Sequence, residues 1–340
     1  MVALKATAVA HPIQGLIKYH GLADPILRLP FHDSISVCTA PLTTRTTIEF
    51  GEFPRDGAAI DRRPVSGREL ERILAVVDAV RTRAKIRDRF RMESVNDFPS
   101  NVGLGASASG FAALAMAASK AAGLDLPLED VSRIARLGAG SATRAVPGGF
   151  SKWRRGAGSA SRAVAGGFAR WKSGVSDEDS YAYRVRGEDL KMGIVVALVP
   201  AYKETESAHA EAPASPLFPA RLAEMPKMLA EMELAIRTRD IGKICALAER
   251  DTLLLHGITM TGPRELLLWR PETVKVIHAV KRMREEGIPA FFSIDTGATV
   301  YVNTFPNRVD AVESRVRDLG IPTIRCHVGG PARALEDHLF

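Results

Sequence analysis

A loop rich in glycine and serine, followed directly by a helix-forming segment, constrains the fold of this chain more than any other feature. The loop, residues 99–110, contains three glycines and three serines, and residues 111–118 are mostly alanine. Glycine lets the backbone approach a ligand closely, and the first N–H groups of a helix lack partners inside the helix. Together with the helix dipole, these N–H groups favour an anion, most often a phosphate. The sequence therefore predicts an anion-binding loop, although an ordinary connection before a buried helix would have a similar composition.

The loop differs from the two commonest phosphate-binding motifs. No Gly-Lys-Ser/Thr ends it, and its glycines lack the spacing of dinucleotide-binding loops. It resembles instead the Pro-x-x-x-Gly-Leu-Gly/Ala-Ser-Ser-Ala loop of the GHMP small-molecule kinases, whose amides and serines hold the phosphates of ATP. Ala106 stands at the first serine of that pair and Ser107 at the second. The resemblance implies ATP as a cofactor and Mg²⁺ bound through the ATP phosphates, with Ser107 as a further candidate ligand.

Composition excludes several other classes of protein. The chain has 340 residues, enough for one large or two medium domains, and 46% of them are hydrophobic. No apolar run is long enough for a membrane span and no signal-like segment opens the sequence, so we expect a cytoplasmic protein. Three widely spaced cysteines fit no metal motif and indicate a reducing compartment. The net charge of +7 comes from scattered Lys and Arg, which favours a basic cleft for anionic metabolites over a nucleic-acid surface.

Local patterns predict alternating strands and helices. Residues 4–10 and 39–50 have strand composition, and the continuous apolar run 193–199 predicts a buried strand. Apolar residues at helical spacing predict helices over 66–80, 128–137, 220–249 and 272–286. The methionines within 220–249 form a stripe that is typical of core packing.

The N-terminal residues resemble the opening of the mevalonate diphosphate decarboxylases. Lys18-Tyr19 and Gly21 match the family's Lys-Tyr-Trp-Gly-Lys segment, and Ser34 begins a Ser-Ile-Ser-Val match. His20 replaces the family's tryptophan, and Leu22 replaces a lysine that contacts the substrate diphosphate. The resemblance implies that Tyr19, His20 and Ser34 contact the substrate.

An eighteen-residue segment occurs twice in direct succession, at 138–155 and 156–173. Each copy resembles a Ser/Arg segment that the same family carries once and uses to grip its substrate. The candidate pair is therefore Ser141 and Arg144, or its duplicate Ser159 and Arg162. We favour the first copy because it keeps its distance from the preceding helix. The surplus residues would then extend an exposed hairpin near 174–179, where insertions are tolerated best.

Asp295 follows the apolar run 290–294 and enters a glycine turn. A carboxylate there is costly to bury without a partner or a task. The position resembles that of the family's catalytic aspartate, with Thr299 in place of a following asparagine. The resemblance implies that Asp295 is the catalytic base and that Lys18 pairs with it. His256, at a family histidine, is expected to be a hydrogen-bonded structural residue.

The resemblance runs almost end to end and implies an α/β (α+β) GHMP kinase-like fold of two layers. The expected lobes are 1–190, with the phosphate loop and the duplicated segment, and 191–340, with the catalytic aspartate, around a central active-site cleft. The residues implied to contact ATP are Ser94, Asn96, Pro99, Gly103, Leu104, Gly105, Ala106, Ser107, Ala108 and Ser109. The family is commonly dimeric, so a homodimer is also expected.

The implied reaction is the ATP-dependent decarboxylation of a mevalonate phosphate. The loss of the lysine at Leu22, together with His20, resembles the phosphomevalonate decarboxylase branch, which converts mevalonate 5-phosphate to isopentenyl phosphate. One fewer phosphate requires one fewer cation, so the substitution and this substrate agree. Three alternatives stay open: a diphosphomevalonate decarboxylase, a GHMP kinase that phosphorylates without decarboxylating, and a non-catalytic basic binding protein.

Overall fold

Two large sheets, a small sheet of two strands and several helices form the described part of the chain. A computed structural model describes residues 4–100, 102–153, 168–172, 180–185, 190–201 and 205–340, and the statements below concern these residues. The strands are β1 Lys5–Ala10, β2 Ile13–Ile17, β3 Leu22–Asp24, β4 Leu29–Pro30, β5 Ser34–Ala40, β6 Thr44–Gly51, β7 Gly57–Ile60, β8 Arg63–Pro64, β9 Arg89–Asn96, β10 Phe150–Trp153, β11 Phe168–Lys172, β12 Tyr181–Arg184, β13 Gly193–Ala197, β14 Ala290–Ser293, β15 Val300–Thr304, β16 Thr323–Val328 and β17 Arg333–Leu335.

The helices lie between these strands. They are α1 Gly67–Ala84, α2 Ala106–Ala121, α3 Leu128–Gly138, α4 Ala142–Ala145, α5 Thr205–Glu211, α6 Phe218–Arg237, α7 Ile241–Met260, α8 Pro271–Glu285 and α9 Val309–Arg317, with short 3₁₀ turns at Ala212–Ala214 and Pro306–Arg308. The expected mixture of α and β structure is confirmed.

The first sheet has the strand order β17-β1-β6-β9-β7-β8, and helix α2 packs directly on β1 and β6. Most residues of α2 are buried, which its small alanine side chains permit because they let the helix approach the sheet closely. Helices α1 and α3 pack against α2. The glycine loop 99–110 therefore leads into the central helix of this layer.

The second sheet runs β11-β12-β10-β5-β16-β13-β15-β14, and β2 pairs with β5. Alternate residues of β13 face opposite sides: Ile194 and Val196 pack with α6 and α7, whereas Val195 and Ala197 pack with α8 and α9. Both faces of the strand are buried, which explains its continuous apolar run. The predicted buried strand is confirmed.

Strand pairing connects the two expected lobes. Strand β5 pairs with β16, with Thr39 opposite Val328, and β17 returns to pair with β1. Each sheet therefore contains strands from both sides of the 190/191 boundary. The division into lobes 1–190 and 191–340 stays a prediction.

One predicted helix is in fact two. The pattern over 220–249 continues through a break at Thr238–Asp240, where Arg239 has φ of 60° and Asp240 caps α7 by accepting from the Lys243 N–H. Apolar spacing persisted across the break, so periodicity alone did not reveal it. Met225, Met228 and Met232 are buried, as the stripe predicted.

None of the described helices is both long and apolar enough to cross a membrane.

Candidate active site

Asp295 lies where β2 and the turn after β14 meet. The backbone N–H of Gly15 donates to the Asp295 carboxylate at 3.1 Å from Oδ1. A Cβ on Gly15 would lie 2.6 Å from Cγ of Lys18 and 3.0 Å from Oδ1 of Asp295. Glycine at this position therefore gives the lysine stem and the carboxylate the space they occupy.

Lys18 is buried, and its amine forms an ion pair with Asp251 rather than with Asp295. Its Nζ lies 3.6 Å from Asp251 Oδ2 and donates to Thr252 and Ser293 at 3.0 Å each. The expected Lys18–Asp295 pair is therefore wrong. Asp251 is the partner because its carboxylate also accepts the backbone N–H of Lys18, at 2.9 Å. This hydrogen bond holds the carboxylate beside the lysine side chain. Burial lowers the pKa of Lys18, while Asp251 and, less strongly, Asp295 raise it.

Arg221 of α6 completes this buried charge cluster. Its Nη2 donates to Asp251 Oδ1 and to the Lys18 carbonyl, at 2.8 Å each. Asp251 and Arg221 are almost fully buried, so each charge depends on the others for compensation. Arg221 was not predicted from the sequence, because a single arginine in an amphipathic helix is typical of a surface residue.

Arg144 reaches the same region from α4. It is buried, donates from Nη1 to the Ser34 hydroxyl, and holds its guanidinium carbon 5.3 Å from the centre of the Tyr19 ring. Burial lowers the pKa of Arg144 to about 10, against the opposing influence of Tyr19 and Asp295. Arg144 therefore stays cationic at neutral pH, within electrostatic reach of Asp295.

The first copy of the duplicated segment lies next to Ser34. Its strand β10 pairs with β5, with Trp153 opposite Ser34. Strands β10 and β11, one from each copy, both pair with Ala182 and Arg184 of β12. Ser141 stands at the start of α4, three residues before Arg144. Ser159, Arg162 and the expected hairpin at 174–179 lie outside the described residues. Which copy forms the site, and the roles of Ser141 and Arg144, stay predictions.

The glycine loop borders a cavity of about 230 Å³ at the start of α2. Gly103 and Gly105 have φ of 87° and 76°, values that glycine adopts without strain. Predicted residues that line the cavity are Ser94, Asn96, Gly103, Leu104, Gly105, Ala106 and Ser107, joined by Arg63, Glu69 and Arg72.

Three predicted nucleotide contacts, Pro99, Ala108 and Ser109, lie outside the cavity lining. Pro99 is exposed, whereas Ala108 and Ser109 are fully buried in α2. The Ser109 hydroxyl lies 2.6 Å from that of Thr44, so it faces the sheet. A larger groove of about 740 Å³ on α6 contains none of the predicted site residues.

The loop and the Asp295 turn are tied together. Thr299 donates from Oγ1 to the Val102 carbonyl at 2.5 Å, and the Tyr301 hydroxyl donates to the Gly103 carbonyl at 3.2 Å. A Cβ on Gly297 would lie 3.7 Å from the Cα of Gly103. The structure therefore brings the glycine loop and the Asp295 turn together, as the sequence predicted.

Two histidines lie beside Tyr19. His209 of α5 stacks on the Tyr19 ring at 4.8 Å between centroids, and the fully buried His20 ring lies 4.9 Å from His209. Burial lowers the pKa of His20 well below its usual range. His209 was missed, since nothing in its sequence neighbourhood indicates a site.

His256 is buried as expected, and hydrogen bonds with the backbone of Ile294 and Asp295 raise its pKa against the effect of burial. Its ring packs 5.0 Å from that of Trp269. Burial lowers its pKa to about 3. No cluster of His, Cys, Asp or Glu in the described part of the chain is suited to hold a metal ion.

Comparison with known proteins identifies relatives of this chain. A family model described as the diphosphomevalonate decarboxylase-like N-terminal domain matches residues 10–157. Phosphomevalonate decarboxylase of Haloferax volcanii is 48% identical, over 98% of this chain and 98% of its own length. The chain belongs to the mevalonate-type decarboxylase family.

Solved structures of this family share the whole fold. Mevalonate diphosphate decarboxylase of Staphylococcus aureus is 27% identical with a TM-score of 0.88, and the match covers 98% of each chain. A further structure, MDDEF in complex with MVAPP, AMPPCP and magnesium, is 26% identical with a TM-score of 0.87, covering 98% of this chain and 99% of its own. The expected fold, that of the GHMP-type decarboxylases, is confirmed.

Proposed function

We propose that this enzyme uses ATP to decarboxylate mevalonate 5-phosphate, giving isopentenyl phosphate, ADP, phosphate and CO₂. The observation that carries the proposal is the position of Asp295: Gly15 holds its carboxylate, and its turn is tied to the glycine loop. A base beside a phosphate-binding loop is the arrangement that phosphoryl transfer to a hydroxyl requires.

Asp295 orients the tertiary hydroxyl of the substrate and accepts its proton as the hydroxyl oxygen attacks the γ-phosphorus of ATP. Lys18 contributes positive charge to the region while its amine stays tied to Thr252, Ser293 and Asp251. The lysine therefore acts on Asp295 through the field of a fixed charge rather than through a direct ion pair. ADP leaves with the electron pair of the broken P–O bond.

Arg144 binds the substrate carboxylate through its guanidinium group, which is suited to two parallel hydrogen bonds. Ser34 and Tyr19 fix that guanidinium from two directions. When the C–O bond to the new phosphate breaks, the C–C bond to the carboxylate breaks with it, and its electron pair forms the alkene. Arg144 aligns these two bonds by holding the carboxylate. Ser141 is a neighbouring candidate for a further hydrogen bond to the substrate.

The glycine loop fits a nucleoside triphosphate. Gly103 and Gly105 have left-handed backbone conformations directly before α2, and Ser94, Asn96 and Arg72 line the adjoining cavity. Ser107 is the candidate side-chain ligand for Mg²⁺, which supplies charge neutralisation between the phosphates when bound. The nucleotide analogue and magnesium in the related MVAPP complex support ATP and Mg²⁺ as the cofactors.

Two observations favour mevalonate 5-phosphate over the 5-diphosphate: the uncharged residues Leu22 and His20, and the activity named for a relative. Leu22 offers no charge to a second phosphate, and burial keeps His20 neutral. The Haloferax volcanii relative is a phosphomevalonate decarboxylase. A homodimer and a cytoplasmic location accompany this proposal as predictions.

Purified enzyme with ATP and Mg²⁺, supplied separately with mevalonate 5-phosphate and with its 5-diphosphate, tests the proposal. We expect one CO₂ per ADP and a higher kcat/KM for the monophosphate. A preference for the diphosphate would reassign the substrate. ADP formation without CO₂ would make the protein a kinase, and nucleic-acid binding without ATP turnover would make it a binding protein.

A further inference from the structure

His209 has no role in the mechanism described above, but its ring stacks on the ring of Tyr19. The two ring planes differ by only 6°, with their centres 4.8 Å apart. His209 belongs to α5, which follows β13 in the second half of the chain, whereas Tyr19 and Arg144 belong to the first half. The stacking therefore joins a helix of one half to the substrate-binding residues of the other.

The orientation of the His209 ring is itself fixed. The backbone N–H of Gly21 donates to His209 Nδ1 at 3.2 Å, so this nitrogen is the acceptor and the ring proton is on Nε2. The buried His20 ring packs on His209 at an angle of 43°. One side chain is thus held by a backbone hydrogen bond, by His20 and by Tyr19.

Tyr19 passes this constraint to Arg144. The Arg144 guanidinium lies 5.3 Å from the Tyr19 ring centre, and its Nη1 donates to Ser34. A cation over an aromatic ring is attracted to it, so the plane of Tyr19 helps to set the position of the guanidinium. A tilt of Tyr19 would therefore displace the group that aligns the substrate carboxylate.

We propose that His209 is a positioning residue, which fixes Tyr19 by stacking and through it places Arg144 for decarboxylation. The proposal rests on the proposed function, because Arg144 must bind the carboxylate that is lost. Helix α5 would then influence binding of the carboxylate end of the substrate, through Tyr19 and Arg144, and not binding of the nucleotide.

The test compares His209→Ala, His209→Phe and the control His278→Ala in the full-length enzyme, since His278 is an exposed histidine on α8. KM values for mevalonate 5-phosphate and ATP, kcat, and the ratio of ADP to CO₂ are measured for each. Loss of one aromatic contact corresponds to about a tenfold effect. For His209→Ala we expect a KM for mevalonate 5-phosphate raised about tenfold, an unchanged KM for ATP, and more ADP than CO₂.

His209→Phe keeps the stacking face but cannot accept the Gly21 N–H, so it should recover part of the lost activity. His278→Ala should match the wild type. Equal losses toward both substrates, or a Phe variant no better than the Ala variant, would overturn the positioning role. Should His209→Ala not fold, the ADP to CO₂ ratio of His209→Leu against His209→Phe decides in the same way. A wild-type enzyme without CO₂ release would instead overturn the proposed function, whereas an active wild type with unaffected variants would overturn this inference alone.

Discussion

The Gly15 N–H and the Asp295 carboxylate are 280 residues apart in the sequence and 3.1 Å apart in the structure. This hydrogen bond joins β2 to the turn after β14, and so fixes the proposed base relative to the N-terminal strands. The bond therefore helps to set the position of the proposed base.

Replacing Asp295 by Asn tests the proposed base. Asparagine keeps an oxygen that can accept the Gly15 N–H, but it cannot take a proton from the substrate hydroxyl. We expect kcat to fall by about 10²–10⁴-fold with little change in ATP affinity. CO₂ release and nucleotide titration measure the two quantities. A variant that keeps a tenth of the wild-type kcat would remove Asp295 from the role.

The duplicated segment gives a paired test. Arg144 is buried beside Ser34, so Arg144→Ala should remove the carboxylate clamp and lower kcat/KM at least about a hundredfold, the scale of a lost charge-assisted contact. Arg162→Ala is the matched control and should leave kcat/KM within about twofold. If the Arg162 variant is the inactive one, the second copy forms the site.

Much of the site was predictable because its chemistry is local in sequence. The glycine loop with its following helix, the Lys18-Tyr19 segment and the carboxylate after an apolar strand were each recognised from adjacent residues. Family resemblance then indicated that they meet. Apolar periodicity likewise predicted α1, α3 and α8, since each presents a single face to the core.

What the sequence did not reveal depends on contacts between distant residues. The partner of Lys18 was assigned to Asp295, but Asp251 lies closer because it sits on the α7 turn that packs against β2. His209 and Arg221 are helical residues whose roles arise only when α5 and α6 contact Lys18 and Tyr19, directly after β2. No local pattern distinguishes such residues from ordinary surface ones.

The buried cluster of Lys18, Asp251 and Arg221 makes a prediction about stability. Asp251→Asn removes the only carboxylate that either cation contacts directly among the described residues, leaving two buried positive charges undercompensated. We expect a loss of about 3–5 kcal/mol in the free energy of unfolding. Urea unfolding measures it, with Asp125→Asn, at an exposed pair with Lys120, as the control that should show no change.

The left-handed conformation of Gly105 makes a prediction about the nucleotide site. Gly105 has φ of 76°, and an added Cβ would lie 3.1 Å from the Ile13 carbonyl oxygen. Gly105→Ala should cost about 1–2 kcal/mol of unfolding free energy and weaken ATP binding about tenfold, because the loop must shift. Gly57→Ala has open space and an ordinary φ, and should change neither. Equal ATP affinity in the two variants would show that the loop backbone does not bind the phosphates.

Burial of His256 makes stability depend on pH. Its pKa is about 3 in the folded protein, against an ordinary value of 6.5, because burial disfavours the charged ring. Between these two pH values the unfolded chain binds a proton that the folded one does not, so folding is favoured above pH 6.5 and loses stability as the pH falls. His256 alone contributes a slope of about 1.4 kcal/mol per pH unit.

The unfolding free energy of His256→Gln should therefore decline less steeply from pH 6.5 to 4 than that of the wild type. His278→Gln, at an exposed histidine, should keep the wild-type slope. Identical slopes for all three proteins would mean that His256 titrates normally and is not buried in solution.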